Sequence, residues 1–441
     1  MIIEIKVSNY RSINAEQTIS FVADKSTRLP ENLIKQKEFK LLKSIGIFGA
    51  NSAGKSNFVR AITIARRNIH ESATHFNEGD MIPYSEFHKF RDTKKDQGSG
   101  FEISFVSEAH IYRYGFVCDM ERVQKEYLYR KKVSEKNENL IFERLFDISE
   151  NIYKWHFDTK LAPHSSLIIE RTRTNALVLS SASRENIELF KKIYSYIVFK
   201  IMPLNMAEEP GKLLHLANNV YMHDDNMLQK VLEVMKTSDI GIENITIVNN
   251  SKNDSDITKR YKSEFPNQYL DSLLDFMNFN PWDRQHSIVV TRQDMMGNIE
   301  PFDLQLEESE GTKRLFSLIG PLLTTFNEGG LLVIDELDAS MHPIRTRSLI
   351  ELFQDPEVNK NGAQLLFTTH DTVLLDNQLF RRDQIWLAQK RNNASEFYSL
   401  ADIVPPPRNT EAYLKNYMAG RYGGTPQINV PLRFALRKED E

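Results

Sequence analysis

Eight residues in the first part of the chain have the composition and spacing of a loop that binds phosphate groups. Residues 49–56 read Gly-Ala-Asn-Ser-Ala-Gly-Lys-Ser and fit the pattern G-x-x-x-x-G-K-[ST]. Glycines allow a tight turn that brings backbone N–H groups onto phosphate oxygens. The ammonium of Lys55 can reach the β- and γ-phosphates, and the hydroxyl of Ser56 can ligate Mg²⁺. The residues expected to contact the phosphates or their metal ion are Gly49, Asn51, Ser52, Ala53, Gly54, Lys55, Ser56 and Asn57.

Two adjacent carboxylates follow an apolar run much later in the chain. Residues 331–336 read Leu-Leu-Val-Ile-Asp-Glu, which predicts a buried strand that ends in two acids. Open α/β sheets bind ligands at the carboxyl ends of their strands. We therefore expect Asp335 to hold Mg²⁺, directly or through water, and Glu336 to orient or deprotonate an attacking water. A strand that ends in a solvated acidic turn is the plainer alternative.

Two further segments suit a γ-phosphate. Residues 308–313 read Glu-Ser-Glu-Gly-Thr-Lys and open an apparent helix. The hydroxyl of Ser309, the N–H of Gly311 and the helix N-terminus together suit an anion, although Ser309 is equally suited to cap the helix. His370 follows the apolar segment 364–368, where its ring is placed to contact a γ-phosphate. A structural histidine is the alternative at that position.

The elements that must position these residues alternate between strands and helices. Strand-like segments lie at 2–7, 18–23, 44–49, 101–106, 111–117, 126–133, 287–290, 330–334, 364–368 and 384–387, and helical patterns lie at 55–70, 312–325 and 344–353. This alternation predicts a mostly parallel sheet, with an antiparallel pair at the N-terminus. Between about residues 135 and 285, apolar residues recur at helical spacing and predict a mainly helical insertion whose stripes pack into a core.

Composition narrows the class of protein. The 441 residues carry a formal net charge of −4, and the pI is about 6.3. This charge argues against a protein whose whole surface binds nucleic acid or anionic membrane. Cys118 is the only cysteine, so no intramolecular disulfide can form, and its apolar surroundings predict a core residue. The chain shows no signal peptide pattern and no apolar run long enough to cross a membrane. We therefore expect a cytoplasmic protein with no membrane partner.

Taken together, the order of these motifs resembles the ABC ATPase superfamily. Residues 49–56 resemble its Walker A motif, ESEGTK its signature motif, LLVIDE its Walker B motif, the segment 337–340 its D-loop and TTHD its switch histidine. The opening VSNYRSI also resembles the soluble branch that contains structural-maintenance-of-chromosomes (SMC) proteins. The resemblance implies ATP and Mg²⁺ as cofactors, adds Arg11 and Asp338 to the residues that bind the cofactor, and assigns catalytic roles to Lys55, Glu336 and His370.

The same resemblance implies a fold and a domain organisation. We expect an ABC-type ATPase head of the α/β class, with a mixed, largely parallel sheet, an antiparallel β subdomain and a mainly helical insertion. The expected domains are the N-terminal lobe of the head at 1–134, an insertion for dimerisation or partner binding at 135–286, the C-terminal lobe at 287–404 and a C-terminal extension at 405–441. In this superfamily the signature motif of one head completes the site of another, so at least a homodimer is implied. Ser309 and Gly311 of one subunit would then cap the γ-phosphate bound by its partner.

A narrower resemblance points to defence against phage. ESEGTKRL, DELDASMHP, AQLLFTTHD, RRDQIW and YMAGRYGGTP resemble AAA-15-type bacterial ATPases. These include abortive-infection ATPases, ATPases encoded beside RloB-like proteins and the ATPase of the PARIS anti-phage system. The resemblance implies a sensor and scaffold that holds or activates a separate effector encoded nearby, a nuclease, with a phage protein as trigger. Overcoming-lysogenization-defect (OLD) nucleases share a similar head, but about 40 residues after Ala401 are too few for their Toprim domain, so we expect no nuclease here.

The sequence is also compatible with other functions. A Q-loop glutamine has no counterpart in residues 82–90, and the insertion lacks the long heptad runs of a coiled-coil arm. An SMC-like ATPase that binds or repairs DNA would bring DNA-stimulated turnover, and a stand-alone toxin or regulator would depend more on ATP binding than on its hydrolysis. The basic runs 129–132 and 171–173 suit either a groove that binds nucleic acid or a solvated surface, so the sequence does not decide whether the protein binds nucleic acid.

Overall fold

The computed structural model describes residues 1–36, 38–82, 86–89, 98–162, 164–206, 214, 225–238, 241–249, 286–339, 341–408 and 410–425. The chain divides into two compact units, which are described separately. The first unit comprises Met1–Leu204, Thr325–Asp338 and His342–Glu441, and the second comprises Asn205–Thr324 and Ala339–Met341. Ser340 of the D-loop-like segment, residues 250–285 of the predicted insertion and the tail from 426 onward lie outside the described residues.

The strands are β1 (Ile2–Ser8), β2 (Gln17–Ser20), β3 (Leu33–Lys35), β4 (Lys40–Leu42), β5 (Ser44–Gly49), β6 (Ser99–Ser107), β7 (His110–Cys118), β8 (Val123–Lys132), β9 (Asn139–Asp147), β10 (Ile152–Phe157), β11 (Ile201–Asn205), β12 (Asn244–Asn249), β13 (His286–Gln293), β14 (Ile299–Asp303), β15 (Leu331–Asp335), β16 (Gln364–Thr368), β17 (Ile385–Arg391) and β18 (Ala394–Ser399). The helices are α1 (Lys55–Glu71), α2 (Ser165–Arg171), α3 (Val178–Arg184), α4 (Glu188–Lys200), α5 (Asp225–Thr237), α6 (Glu310–Glu328), α7 (Pro343–Gln354) and α8 (Tyr413–Met418).

A six-stranded sheet carries the motifs of the first unit. Its order is β11-β15-β16-β5-β17-β18, in which β15, β16, β5 and β17 run parallel and β18 is antiparallel to β17. Every residue of β5, β15 and β16 is buried, as expected for parallel strands covered on both faces. Because these strands run parallel, the residues that follow β5, β15 and β16 meet at one edge of the sheet.

A seven-stranded antiparallel sheet, in the order β10-β9-β8-β7-β6-β1-β2, completes the framework of this unit. The core packs α1 and α4 against it, with Phe58, Ile62 and Phe190 fully or almost fully buried. The mixed α/β fold class predicted from the sequence, with a parallel core and an antiparallel subdomain, is confirmed. No helix in the described part of the chain is long and apolar enough to cross a membrane.

The strands β9 and β10 occupy the start of the segment predicted as a helical insertion. They extend the antiparallel sheet, and α2, α3 and α4 follow them within the first unit. Arg144 on β9 is fully buried, and its guanidinium lies over the rings of Tyr153 and Trp155 on the neighbouring strand β10. The Arg144 guanidinium donates hydrogen bonds to three backbone carbonyls of residues 173–176. Only the later part of the predicted insertion falls in the second unit.

The second unit contains the sheet β12-β13-β14, which is antiparallel throughout. Its apolar core includes Val231 and Met235 of α5, Val290 of β13, and Phe316 of α6, all of them fully buried. The apolar residues of α5, which recur at helical spacing in the predicted insertion, therefore form core as expected. Cys118 in the first unit is also a core residue, and burial raises the pKa of its thiol to about 12.

Candidate nucleotide site

The phosphate loop begins where β5 ends, and two of its glycines are required by close contacts. Gly49 has φ of 149°, and a Cβ there would lie 2.3 Å from the carbonyl oxygen of Ala388. Gly54 has φ of 105° and precedes α1, and a Cβ there would lie 2.0 Å from the Ser395 hydroxyl. Asn51, Ser52 and Ser56 are exposed, whereas Ala53 is buried. The loop therefore places a helix N-terminus and exposed backbone at the carboxyl edge of the sheet.

Lys55 lies at the centre of this edge. Its side chain is almost completely buried, and its ammonium donates to the carbonyls of Gly49 (2.8 Å) and Ala50 (3.2 Å). The Nδ1 atom of His370 lies 3.4 Å from the same nitrogen. Burial lowers the pKa of Lys55 to about 8, and the nearby carboxylates of Asp335, Glu336 and Asp338 oppose this shift. The site therefore gathers one buried cation and three acids.

A threonine that the sequence does not single out connects the two predicted acids. Thr368, at the end of β16, is fully buried, and its hydroxyl donates to Asp335 Oδ1 at 2.6 Å. The same hydroxyl accepts the backbone N–H of Glu336 at 2.8 Å. Glu336 itself has φ of 56°, a left-handed conformation that a non-glycine residue adopts only when its surroundings hold it there. Thr368 thus fixes the direction in which both acids leave β15.

His370 and Asp338 complete the cluster. The backbone N–H of His370 lies 3.3 Å from both carboxylate oxygens of Asp338. Leu337 N donates to Thr368 O at 3.0 Å, which holds the segment after β15 against the segment after β16. The structure therefore brings together Lys55, Asp335, Glu336, Asp338 and His370, although they come from three separate parts of the sequence.

Arg11 is held beside the first turn of α1. Its Nη1 donates to Asn57 Oδ1 at 3.3 Å, and its Nε donates to Glu86 Oε2 at 2.5 Å. Asn57 in turn donates to the Ser12 hydroxyl at 2.7 Å. Glu86 lies in the segment where no Q-loop glutamine was found in the sequence, and nothing in its spacing indicates this contact with Arg11.

Ser309 and Gly311 lie at the start of α6, in the second unit. The Ser309 hydroxyl accepts the backbone N–H of Thr312 at 3.2 Å, which is the geometry of a helix N-cap. Just before it, Glu308 is buried and receives two hydrogen bonds of 2.9 Å from Arg292. The cap and the ion pair together give the first turn of α6 a defined position within its own unit.

The oxygen donors present suit Mg²⁺ bound with a nucleotide. Mg²⁺ prefers hard oxygen ligands and is usually held by one or two carboxylates together with phosphates and water. Ser56 supplies a hydroxyl and Asp335 a carboxylate, in keeping with that preference. Among the residues that the structure describes, no group of three or more His, Cys, Asp or Glu could form a metal cage by itself.

Comparisons with known proteins identify the family. Similar solved structures include an SMC head bound to the C-terminal winged-helix domain of ScpA (13% identity, 90% of this chain and 97% of that chain, TM-score 0.42) and the SMC head domain of Thermotoga maritima (12% identity, 90% and 98%, TM-score 0.36). Another is the recombination mediator protein RecF (14% identity, 90% and 98%, TM-score 0.30). The comparison with curated proteins gives no match. Residues 44–376, more than half of the chain, match the family described as "AAA domain, putative AbiEii toxin, Type IV TA system". The chain therefore belongs to this family of AAA-domain ATPases.

Proposed function

We propose that this ATPase hydrolyses ATP at sites shared between two subunits, and that its cycle holds and releases a separate effector during defence against phage. The observation that supports hydrolysis best is the convergence of Lys55, Asp335, Glu336 and His370 at one edge of the parallel sheet. A phosphate loop alone would support binding only. A positioned acid next to the loop supports hydrolysis as well.

Each residue has a distinct role in this proposal. The loop N–H groups and the Lys55 ammonium bind the phosphates of ATP, and Lys55 exchanges its contacts with the loop carbonyls for the β- and γ-phosphates. Glu336 orients the attacking water or accepts its proton, with Thr368 holding the backbone of Glu336 in place. His370 contacts the γ-phosphate, and Arg11 and Asp338 contact the nucleotide at the rim of the site. Mg²⁺, held by Ser56 and Asp335, would neutralise charge on the phosphates.

The signature-like segment, residues 308–313, takes part in this mechanism because the site is shared between subunits. Ser309 and Gly311 stand at the N-terminus of a long helix, where an anion is favoured by backbone N–H groups and by the helix dipole. We propose that these residues cap the γ-phosphate bound to a partner subunit. ATP then stabilises a dimer of heads, and hydrolysis releases it.

The defence role rests on two lines of support. The family's description includes the words toxin and Type IV TA system, and the motifs of this chain resemble those of anti-phage ATPases. We propose a separate nuclease effector and a phage protein as trigger. The family's description also favours a second candidate, in which the chain is itself the toxin and acts without an effector.

Binding to DNA has less support from the structure. Of the two basic runs, Arg171 pairs with Glu185 and Arg173 donates to the carbonyl of Ser72. Lys132 pairs with Glu135. These contacts indicate that several of the cations serve the fold. An SMC-like function on DNA is therefore kept as an outcome of the experiment.

The test uses the Glu336→Gln variant purified with ATP and Mg²⁺ from cells that carry the neighbouring genes. This change keeps the shape of the side chain and removes its charge, so it should bind ATP but hydrolyse it far more slowly. A dimer with a separate protein bound at fixed stoichiometry would support the proposal. A dimer with no bound protein, from a chain whose expression alone kills cells, would favour the candidate in which the chain is itself the toxin. A dimer that carries only nucleic acid would favour the DNA-binding function. An ATP-bound monomer would contradict the shared site.

A further inference from the structure

A segment near the C-terminus lies against the phosphate loop. We call residues Tyr413–Thr425 the C-terminal strap; it comprises α8 and the turn that follows it. The strap includes most of the YMAGRYGGTP motif, to which the nucleotide chemistry above assigns no role. Its turn closes through glycines in the left-handed region, among them Gly420 at φ of 73° and Gly424 at φ of 70°.

One carbonyl of the strap contacts the phosphate loop directly. Gly424 O accepts the backbone N–H of Ala50, the second residue of the loop, at 2.9 Å. The same oxygen accepts the buried hydroxyl of Tyr417 at 3.0 Å. The Gly424 carbonyl is therefore held from two directions, once from α8 and once from the loop.

The strap is seated on the two strands that flank the loop. A Cβ on Gly424 would lie 3.5 Å from the carbonyl oxygen of Ala388 on β17, and Ala388 pairs with Gly49. The hydroxyl of Tyr398 on β18 donates to the carbonyl of Tyr422 at 2.7 Å. The strap thus contacts the same strand ends that position the start of the phosphate loop.

The loop is held at its start by two kinds of contact. Lys55 holds the carbonyls of Gly49 and Ala50, but the proposed function requires its ammonium to move to the phosphates. The N–H of Ala50 already donates to Gly424 O, so the other N–H groups of the loop are the ones left to bind phosphate, and ATP binding does not require this bond to break. It can therefore hold the start of the loop with and without ATP.

We propose that the C-terminal strap sets the affinity for ATP by positioning the phosphate loop, with Gly424 and Tyr417 as positioning residues. This inference rests on ATP binding as part of the proposed function. A loop that must be ordered by ATP itself binds more weakly than a loop that is already ordered, so loosening the strap lowers the affinity. The chemical step depends on Glu336 and Thr368, which lie on other strands, so kcat should be nearly unaffected.

The test compares two glycine variants of the full chain. Alanine is strained at φ of about 70° in either place, so Gly424→Ala and Gly362→Ala, a control outside the strap at φ of 69°, should lower the thermal midpoint by similar amounts. A Cβ on Gly362 has space, with Ile34 Cδ1 its nearest neighbour at 3.5 Å, and Gly362 precedes β16 at the sheet edge opposite the phosphate loop. We expect Gly424→Ala to raise the KM and the Kd for ATP about fivefold, the effect of losing roughly one hydrogen bond, with kcat within about twofold. Gly362→Ala should leave all three within about twofold of the wild type.

A second pair of variants avoids backbone strain. Tyr417→Phe removes only the hydroxyl that holds Gly424 O. The control, Tyr153→Phe on β10, removes a hydroxyl that contacts the carbonyls of Val123 and Thr174. Only Tyr417→Phe should raise the KM for ATP. Equal effects of the two members of either pair, or no effect of Gly424→Ala, would overturn the proposal.

Hydrogen exchange separates failure of the strap from failure of the proposed function. In the absence of nucleotide, the peptide that contains Ala50 should exchange faster in Gly424→Ala than in Gly362→Ala. If the wild type neither binds nor hydrolyses ATP, the proposed function fails, and the exchange comparison still decides whether the strap positions the loop. Equal exchange in the two variants would refute that positioning.

Discussion

Replacing Thr368 by valine tests whether one hydroxyl fixes both acids of the site. The change keeps the shape of the side chain and removes a group that donates to Asp335 at 2.6 Å and accepts from Glu336 N at 2.8 Å. A hydrogen bond to a charged group contributes about 1.5–3 kcal/mol, and a buried N–H left without a partner costs about 1–3 kcal/mol. Because Glu336 N is only partly shielded from water, we expect the free energy of unfolding to fall by about 2–4 kcal/mol. Misplacement of Glu336 should lower kcat about ten- to a hundredfold.

The assay combines guanidinium unfolding with steady-state ATP hydrolysis. Thr346→Val is the matched control, because Thr346 on α7 is fully buried and its hydroxyl has no hydrogen-bond partner among the described residues. That variant should be neutral or slightly stabilising and should keep the wild-type kcat. If Thr368→Val loses no more stability than Thr346→Val and retains full turnover, then Thr368 does not position the acids and the reasoning fails.

Three further predictions follow from the same structure. The affinity for ATP should decrease as the pH rises through about 8. Burial lowers the pKa of Lys55 to about 8, and the neutral amine attracts phosphate less than the ammonium does. Binding titrations that show a constant affinity up to about pH 9.5 would contradict this prediction. Lys55→Ala should abolish ATP binding while Glu336→Gln retains it, as measured with a fluorescent ATP analogue; equal hydrolysis by the wild type and Glu336→Gln would remove Glu336 from the mechanism. Arg144→Leu should lower the free energy of unfolding by about 2–4 kcal/mol, because three backbone carbonyls of residues 173–176 lose a charged donor; a loss below 1 kcal/mol in chemical denaturation would show that the buried guanidinium is not needed.

The strands that carry the candidate site could be predicted almost to the residue. The segments β5, β15 and β16 are continuous apolar runs that end in glycine, acids or histidine, and burial on both faces of a parallel sheet requires that composition. The positions of Lys55, Asp335 and Glu336 follow because parallel strands end at one edge. Local patterns of this kind are visible in the sequence without knowledge of which strands are neighbours.

The supporting contacts could not be predicted, because they depend on the register between distant segments. The Ser12 hydroxyl accepts a hydrogen bond from Ser395 Oγ at 2.7 Å, across almost the whole length of the chain. The bond between Ala50 and Gly424 involves two backbone groups, which carry no signal in the side chains. The strands β9 and β10 could not be predicted for a related reason. An arginine in the sequence indicates an exposed position, whereas Arg144 is buried against aromatic rings of the neighbouring strand.

The strand order also has a consequence for the synthesis of the chain. The strand β5, at residues 44–49, is fully buried, and both of its neighbours in the sheet, β16 and β17, lie at residues 364–368 and 385–391. A ribosome that adds about 5–20 residues per second would need roughly 16–63 s between the end of β5 and the start of β16, the first of these neighbours to be made. During this interval the apolar β5 has no sheet partner and is exposed to aggregation or to chaperones. The ATP site therefore cannot form until β16 has been made, and nucleotide can stabilise the fold only from that point on.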